Sequence, residues 1–362
     1  MTKEKGSEGT SKKPLKIGMD LGTNTTVLAL GEPEGAPPKL KYVLTVVGYP
    51  KEAILPGVLP GNRTRYFGEE AIKEHNYLDL KWPLAKGLVA NVDVAKEFIA
   101  HVRTQIESGD RETWLVVGAP AHQERQDLQT LREALGKTFQ RFLIVPEPFL
   151  AAIGCREDSR VDDPAYVDPA RASMIVDIGA GTTDVCFLQG FFPTPEEQLS
   201  FAKAGNNVDL DLRQRILQKY PDANLKDVSI TRIKEGHSYV GTAPDRITLR
   251  VMIHGKPEVL DITELVGRAC EILVPEIVEA ITELTKRCNA ELVDKILGNT
   301  LLTGGGSLIR GLPEMIQAAL HARGLKSAAV RQVPEYRPLV ALGAWKIAQM
   351  AREDQWQHPT LS

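Results

Sequence analysis

Apolar positions along the chain follow two rhythms, short runs that suit strands and three-to-four spacing that suits helices. Residues 15–30, LKIGMDLGTNTTVLAL, read as strand, tight turn, strand. Residues 31–40 carry three prolines and two glycines and predict a loop. Segment 41–82 is mixed, with turn residues at Pro50, Pro56, Pro60 and Gly61, and predicts part of a small inserted subdomain spanning about 36–85. Over 92–107, Val94, Phe98, Ile99, Val102 and Ile106 share one helical face. WLVVG at 114–118 predicts a buried strand, 121–138 a polar helix, 142–145 a strand, and Glu147–Gly154 a turn and helix. The polar run 155–172 predicts a loop between two lobes.

The second half repeats the alternation. SMIVDIG at 173–179 predicts a strand, 207–220 a helix, and 225–260 a helix with strands such as RITLRVMI. Residues 262–288 predict an amphipathic helix pair punctuated by Pro275, 296–303 a strand, and 307–322 a helix. Strands alternating with helices predict α/β architecture in both halves. The expected division is a tail at 1–14, a first lobe at 15–150 with 335–362, and a second lobe at 151–334. Residues from about 204 to 260 are expected to form the second lobe's own inserted part.

Composition narrows the classes. The chain has 362 residues, which at about 150 residues per domain suggests two or so domains. Hydrophobic residues make up 43%, charged residues 25%, and net charge is -3. That composition excludes wholesale disorder and gives no broad basic surface for nucleic acid. Cys155, Cys186, Cys270 and Cys288 are scattered without a C-x-x-C pair, against a disulfide scaffold or thiolate zinc site and in keeping with a reducing cytosol. The seven histidines lack metal-ligand spacing. No apolar run approaches the roughly 18 residues of a membrane span. The N-terminus, MTKEKGSEGTSKKP, lacks both a signal-type apolar core and an amphipathic face. Trp82 and Trp345 are expected to pack, and Trp356 to dock back on the body.

One feature carries chemistry. Asp20–Thr26 (DLGTNTT) matches Asp177–Thr183 (DIGAGTT), each between two apolar strands. The copies share aspartate, glycine and both threonines, which predicts a duplicated lobe. Glycine in such a turn lets backbone N–H groups approach an anion, and threonine hydroxyls add donors. An aspartate heading each turn can hold hydrated Mg²⁺ beside phosphate oxygens. Two such turns face to face would clamp a nucleotide's phosphates. No G-x-x-x-x-G-K-[ST] occurs. The Gly179-Ala180-Gly181 run lacks the third glycine of a dinucleotide fingerprint and leads into a strand. A third element, Leu301–Pro313 (LLTGGGSLIRGLP), predicts a strand, bare backbone on which a flat ring could lie, and a helix capped by Ser307.

These motifs together resemble the actin, Hsp70 and sugar-kinase superfamily from Leu15 to about Ala348. The resemblance implies two RNase-H-like lobes with ATP and Mg²⁺ in the cleft between them. Val145–Gly154 (VPEPFLAAIG), Lys203–Asp209 (KAGNNVD) and Ile233–Glu235 (IKE) are similar to segments of bacterial actins. Val46–Lys51 (VVGYPK) and Tyr77–Leu84 (YLDLKWPL) look like the MamK-type actins that organise magnetosomes, with the cell-shape MreB type next. Carried over motif by motif, Asp20 and Asp177 would hold Mg²⁺ through water. Gly22, Thr23, Asn24 and Thr25 would bind phosphates from one side, and Gly179, Ala180, Gly181 and Thr182 from the other. Lys234 and Glu235 would contact adenosine, with Gly304, Gly305, Gly306 and Leu308 lining the ring. Glu147, with Asp177, would be catalytic, orienting water for in-line attack on the γ-phosphate. On residue type alone Glu147 also reads as a helix-start carboxylate, and Lys234–Glu235 as a solvated helical pair.

The resemblance implies a cytoskeletal ATPase that assembles head to tail into filaments in the cytoplasm. Protein adaptors would link it to an organelle or membrane, without direct membrane insertion or nucleic-acid binding. A cell-shape or plasmid-segregating actin, a small-molecule kinase and a non-hydrolysing adaptor are the alternatives. The length leaves no room for the peptide-binding domain of an Hsp70 protein.

Overall fold

The computed structural model describes residues 13–31, 37–121 and 124–357. Residues 1–12 of the expected tail lie outside them, as do 358–362 at the chain's end. The first sheet starts with the hairpin β1 (Leu15–Leu21) and β2 (Thr25–Leu30), followed by β3 (Lys39–Leu44). The sequence reading placed β3 partly in a loop and partly in the inserted segment. It instead pairs antiparallel with β2 along its whole length, from Thr25↔Leu44 to Leu30↔Lys39. The inserted part therefore begins after it, with β4 (Val47–Pro50), β5 (Tyr66–Phe67), α1 (Gly68–Lys73) and β6 (Leu78–Lys81) around a small core of Val46, Tyr66 and Leu78. A short hairpin of β7 (Leu84–Ala85) and β8 (Leu88–Val89) leads back to the body.

Next come α2 (Val92–Thr104), β9 (Thr113–Ala119), α3 (Arg125–Leu135), β10 (Arg141–Pro146) and α4 (Glu147–Cys155). Asn91 caps α2 by accepting from the Asp93 and Val94 amides, and the predicted apolar face is buried. The second sheet holds β11 (Ser173–Ile178), β12 (Thr183–Leu188) and β13 (Gln198–Phe201). After them run α5 (Gly205–Lys219), α6 (Asp227–His237), the hairpin β14 (Thr248–Ile253) and β15 (Lys256–Asp261), α7 (Thr263–Glu271) and α8 (Val274–Thr285). Pro275 sits in the first turn of α8, where a missing N–H costs nothing. The chain closes with α9 (Val293–Leu297), β16 (Thr300–Thr303), α10 (Leu312–Ala322), β17 (Val330–Gln332) and α11 (Leu339–Met350).

Two expectations fail here. Ile296 and Leu297 end a helix, so the strand predicted from 296 starts only at Thr300. The helix predicted from Ser307 starts at Leu312, after a 3₁₀ turn over Gly305–Leu308. Ser307 therefore caps nothing; its hydroxyl donates to Gly304 O at 2.7 Å inside that turn.

The sheets share one topology. Their orders are β3-β2-β1-β9-β10 and β13-β12-β11-β16-β17, each with three antiparallel strands followed by two parallel ones. Alternation along β9 explains the layering. Leu115 and Val117 face α2 and α3, whereas Trp114 and Val116 face a core shared with Leu150, Val340 and, from the second sheet, Ile175 and Leu301. The helices α4 and α11 thus lie between the sheets. Each large apolar side chain buried there contributes about 1.5–3 kcal/mol. They cross at Gly154 and Gly343, where a methyl group on either would overlap the other helix's backbone at Leu339 or Leu150.

Trp356 docks as expected, buried against Trp114 with ring centroids 5.1 Å apart. Trp345 packs against α11's neighbours and donates to Gly31 O at 3.0 Å. Trp82 does not pack: it follows the short β6 and is 48% exposed.

Candidate functional site

Register places the two repeated turns alike. Asp20 is paired across its hairpin with Val27, and Asp177 with Asp184. Each acid is the next-to-last residue of a strand whose neighbours are buried, so it enters the site from a rigid sheet. Glu147 opens α4 directly after β10. These acids come together. Burial pushes the Glu147 carboxyl well above its ordinary range, and the charges of Asp20, Asp184 and Asp177 push the same way. Asp177 is raised well above its usual value by burial and then by Asp20 and Asp184. Burial raises Asp20 to about 7. Asp184 is also raised by burial, partly offset by donors at the Ala121 amide and the Ser200 and Thr182 hydroxyls.

The turns meet directly. A methyl group on Gly181 would lie 2.7 Å from Thr23 Oγ1, 2.8 Å from Lys86 Cα and 2.9 Å from the Gly87 amide. Only glycine permits that approach. Thr23, nearly buried, accepts a hydrogen bond from Gly87 N at 3.2 Å. The β7–β8 hairpin therefore crosses where the turns converge. Gly22, Asn24, Thr25, Gly179, Ala180 and Thr182 are partly exposed around this point.

The third motif adjoins the second turn. Gly304 lies against the Asp177 carboxylate and Ile178 O, and Gly306 against the Ile178 side chain. Gly305 and Leu308 face solvent. Lys234 reaches back to this region, donating to Gly205 O at 3.2 Å and pairing with Asp209 at 2.7 Å. Gly205 N in turn donates to Gly179 O at 3.0 Å. Glu235 is exposed on the same helix. Its charge reaches Arg337, whose guanidinium is raised first by the Tyr336 phenol and also by Glu235.

Four features were missed in the sequence. Asp184 donates nothing but accepts the Ala121 amide at 2.7 Å, tying the end of β9 to β12. Its signal was an acid in an otherwise apolar strand. Lys86 and Gly87 sit in a hairpin too short for any periodicity to show. Asp209 lay within a motif already noted, but as a partner of Lys234 it is visible only in three dimensions. The acids and threonines of the two turns offer hard oxygen donors. No three His, Cys, Asp or Glu side chains among the described residues converge as a direct metal-ligand set.

This geometry suits a polyanion with a cation: two glycine turns that meet, with threonines on them, beside carboxylates that repel one another until a cation intervenes. Comparison with known proteins agrees. The MreB/Mbl protein family matches residues 61–354. The actin-like protein MamK of Magnetospirillum gryphiswaldense is 33% identical over 356 residues, covering 96% of this chain and 93% of its own. The solved MamK double helical filament shares 33% identity and a TM-score of 0.83, covering 94% of this chain and 100% of its own. A non-polymerising MamK mutant bound to AMPPNP shares 34% identity with a TM-score of 0.66, covering 94% and 100%.

Proposed function

The chain belongs to the MreB/Mbl protein family, and from that premise we propose an actin-like ATPase whose filaments position magnetosomes. The observation that carries the filament reading is the likeness to the MamK double helical filament along 94% of the chain. At nearly equal identity the chain's conformation lies nearer that filament form than the non-polymerising nucleotide-bound one. The lobes meet turn to turn at Gly181 and Thr23, which supports a closed, assembly-competent arrangement.

ATP would lie with its phosphates between Gly22–Thr25 and Gly179–Thr182. Its adenosine would lie between Lys234–Glu235 and Gly304–Leu308. Asp20 and Asp177 would hold Mg²⁺ through water; their hard carboxylate oxygens, brought together with those of Glu147 and Asp184, support that reading. Held by these residues, the cation would supply charge neutralisation for the phosphates and the acids. Glu147 holds the attacking water as a hydrogen-bond acceptor, at the foot of β10 where both turns' acids are in range. Lys234, fixed by Asp209, orients the base end. Self-association is the primary partnership, with adaptors linking the polymer to its cargo in the cytoplasm. Among the described residues no helix is long and apolar enough to cross a membrane.

Sedimentation and electron microscopy with and without Mg-ATP test the reading. ATP-dependent filaments are expected; protein that binds ATP and stays monomeric overturns it. The family match also favours a cell-shape role as the second reading. Fluorescent fusions separate the two: a line along organelles against patches beneath the envelope.

A further inference from the structure

Among the exposed apolar side chains of the described second half, two groups differ in chemistry. The first follows β12. Gly190 N donates to Ala170 O at 3.0 Å, so this loop sits beside the start of β11, the end away from the phosphate turn. There Phe191 is 78% exposed and Phe192 58%, although Phe192 leans on Phe149 with ring centroids 4.9 Å apart. Glu196 follows, exposed, its carboxyl held below the usual range by its own backbone amide and the Thr194 hydroxyl.

The second patch is the outward face of β14–β15. Leu249, Val251 and Leu260 point into the core, whereas Arg250 opposite Val259 and Met252 opposite Pro257 point out. Met252 is 46% and Val259 66% exposed. Arg250 is exposed between them and has no ion-pair partner among the described residues.

The phosphate turn stands between the patches. β11 runs from the loop end to the turn, roughly 20 Å of strand. α5 starts at the turn, with Gly205 N and Asn206 N donating to Gly179 O and Ala180 O. It packs against α6 and α7 and runs for roughly 22 Å. Beyond its end Asn224 N donates to Met252 O at 3.1 Å.

Neither patch complements itself, but each complements the other: a protruding aromatic pair with an acid, and a shallow apolar sheet with an unpaired base. Different surfaces at two ends are what a head-to-tail contact that does not close requires. We propose that the Phe191–Phe192 loop of one copy seats on the outward face of β14–β15 of the next, with Glu196 meeting Arg250. This joint rests on the filament reading above.

The test uses the full chain with Mg-ATP and two double variants at exposed positions. One carries Phe191→Glu and Phe192→Glu, the other Met252→Glu and Val259→Glu; circular dichroism and ATP binding establish that each is folded. Each alone should show a critical concentration at least ~10-fold above wild type, the scale of losing a buried aromatic anchor. Mixed, they retain one intact joint per pair and should give a 1:1 dimer without polymer. Added in small amounts to wild type, each should shorten filaments, whereas the chain with all four changes should not. Wild-type filaments with variants that polymerise normally, or a fourfold variant that shortens filaments as well as either double one, overturn the joint alone. Wild-type chains that never assemble overturn the filament reading and the joint with it.

Discussion

The two halves use one backbone device with unequal side chains. In the first turn Asp20 faces Val27 across the hairpin; in the second Asp177 faces Asp184. The first turn projects Thr23 and Asn24, where the second has Ala180 and Gly181. One turn is therefore a plug and the other a socket, and the socket carries the denser negative charge. Asp184 is held in the socket by the Ala121 amide, which belongs to the first half. Duplication supplied the shape, and divergence made the two copies fit each other.

The largest expected effect comes from the acid that belongs to neither turn. Glu147 feels Asp20 from one side and Asp177 and Asp184 from the other. Glu147→Gln keeps the shape but removes the carboxylate charge, and one of the two acceptor oxygens, that we propose orient the water. Phosphate release should slow by about 100-fold while Mg-ATP binding and filament formation persist, with disassembly delayed. A phosphate-release assay on assembled protein checks it; an unchanged rate removes Glu147 from the chemistry.

Gly181→Asn makes the socket resemble the plug. Its new side chain would meet Thr23 Oγ1, the Lys86 backbone and the Gly87 amide, two of them backbone and unable to turn aside. Overpacking of this kind costs about 1–3 kcal/mol. Because the clash is with the closed form, nucleotide affinity should fall about 10- to 100-fold. Titration with a fluorescent ATP analogue measures it. Wild-type affinity would show that the turns do not close on each other.

Much of this asymmetry was visible in the sequence, and the rest was hidden for identifiable reasons. The repeated Asp-x-Gly-x-x-Thr-Thr stands out because backbone anion sites need those residues. Asp184 was in plain sight as the residue after the repeat, but a strand is read by its apolar positions, and VCFL was enough. β3 was lost among prolines at 31–40, since its register with β2 is a long-range property. The Ile296–Leu297 pair was read as strand because two apolar residues before an apolar strand look continuous, whereas Gly298 ends a helix there. Contacts such as Gly87 with Thr182 join segments about a hundred residues apart and leave no local signal.

A smaller effect follows from charge. Asp20, Glu147, Asp177 and Asp184 all have folded values raised above those of the unfolded chain. The native state therefore binds more protons between about pH 4, where unfolded carboxyls titrate, and pH 7, where Asp20 titrates in the fold. Their contribution to stability is full below that window and is lost as pH rises through it. Asp184→Val, which copies Val27, removes one acid and lifts a like charge from Asp177. Calorimetry of nucleotide-free protein should show wild type losing Tm relative to this variant as pH rises from 4 to 7. A difference that stays constant across the window would mean that only the Ala121 hydrogen bond was lost. That loss is independent of pH.

Asn24→Gly, the reverse of the socket exchange, should be the mildest change. Asn24 is partly exposed and is not in the left-handed region, so glycine gains nothing there. Its carbonyl still accepts the Thr45 amide at 3.0 Å, because that bond is made by backbone. The stability cost is then the extra freedom of glycine in the unfolded chain, about 0.5–1 kcal/mol. Affinity can fall further only through the lost amide donor, and a neutral hydrogen bond contributes about 0.5–1.5 kcal/mol net. The drop in ATP affinity should therefore stay near 10-fold or less, smaller than for Gly181→Asn. If the order reverses, the first turn is the tight partner, and the assignment of plug and socket must be exchanged.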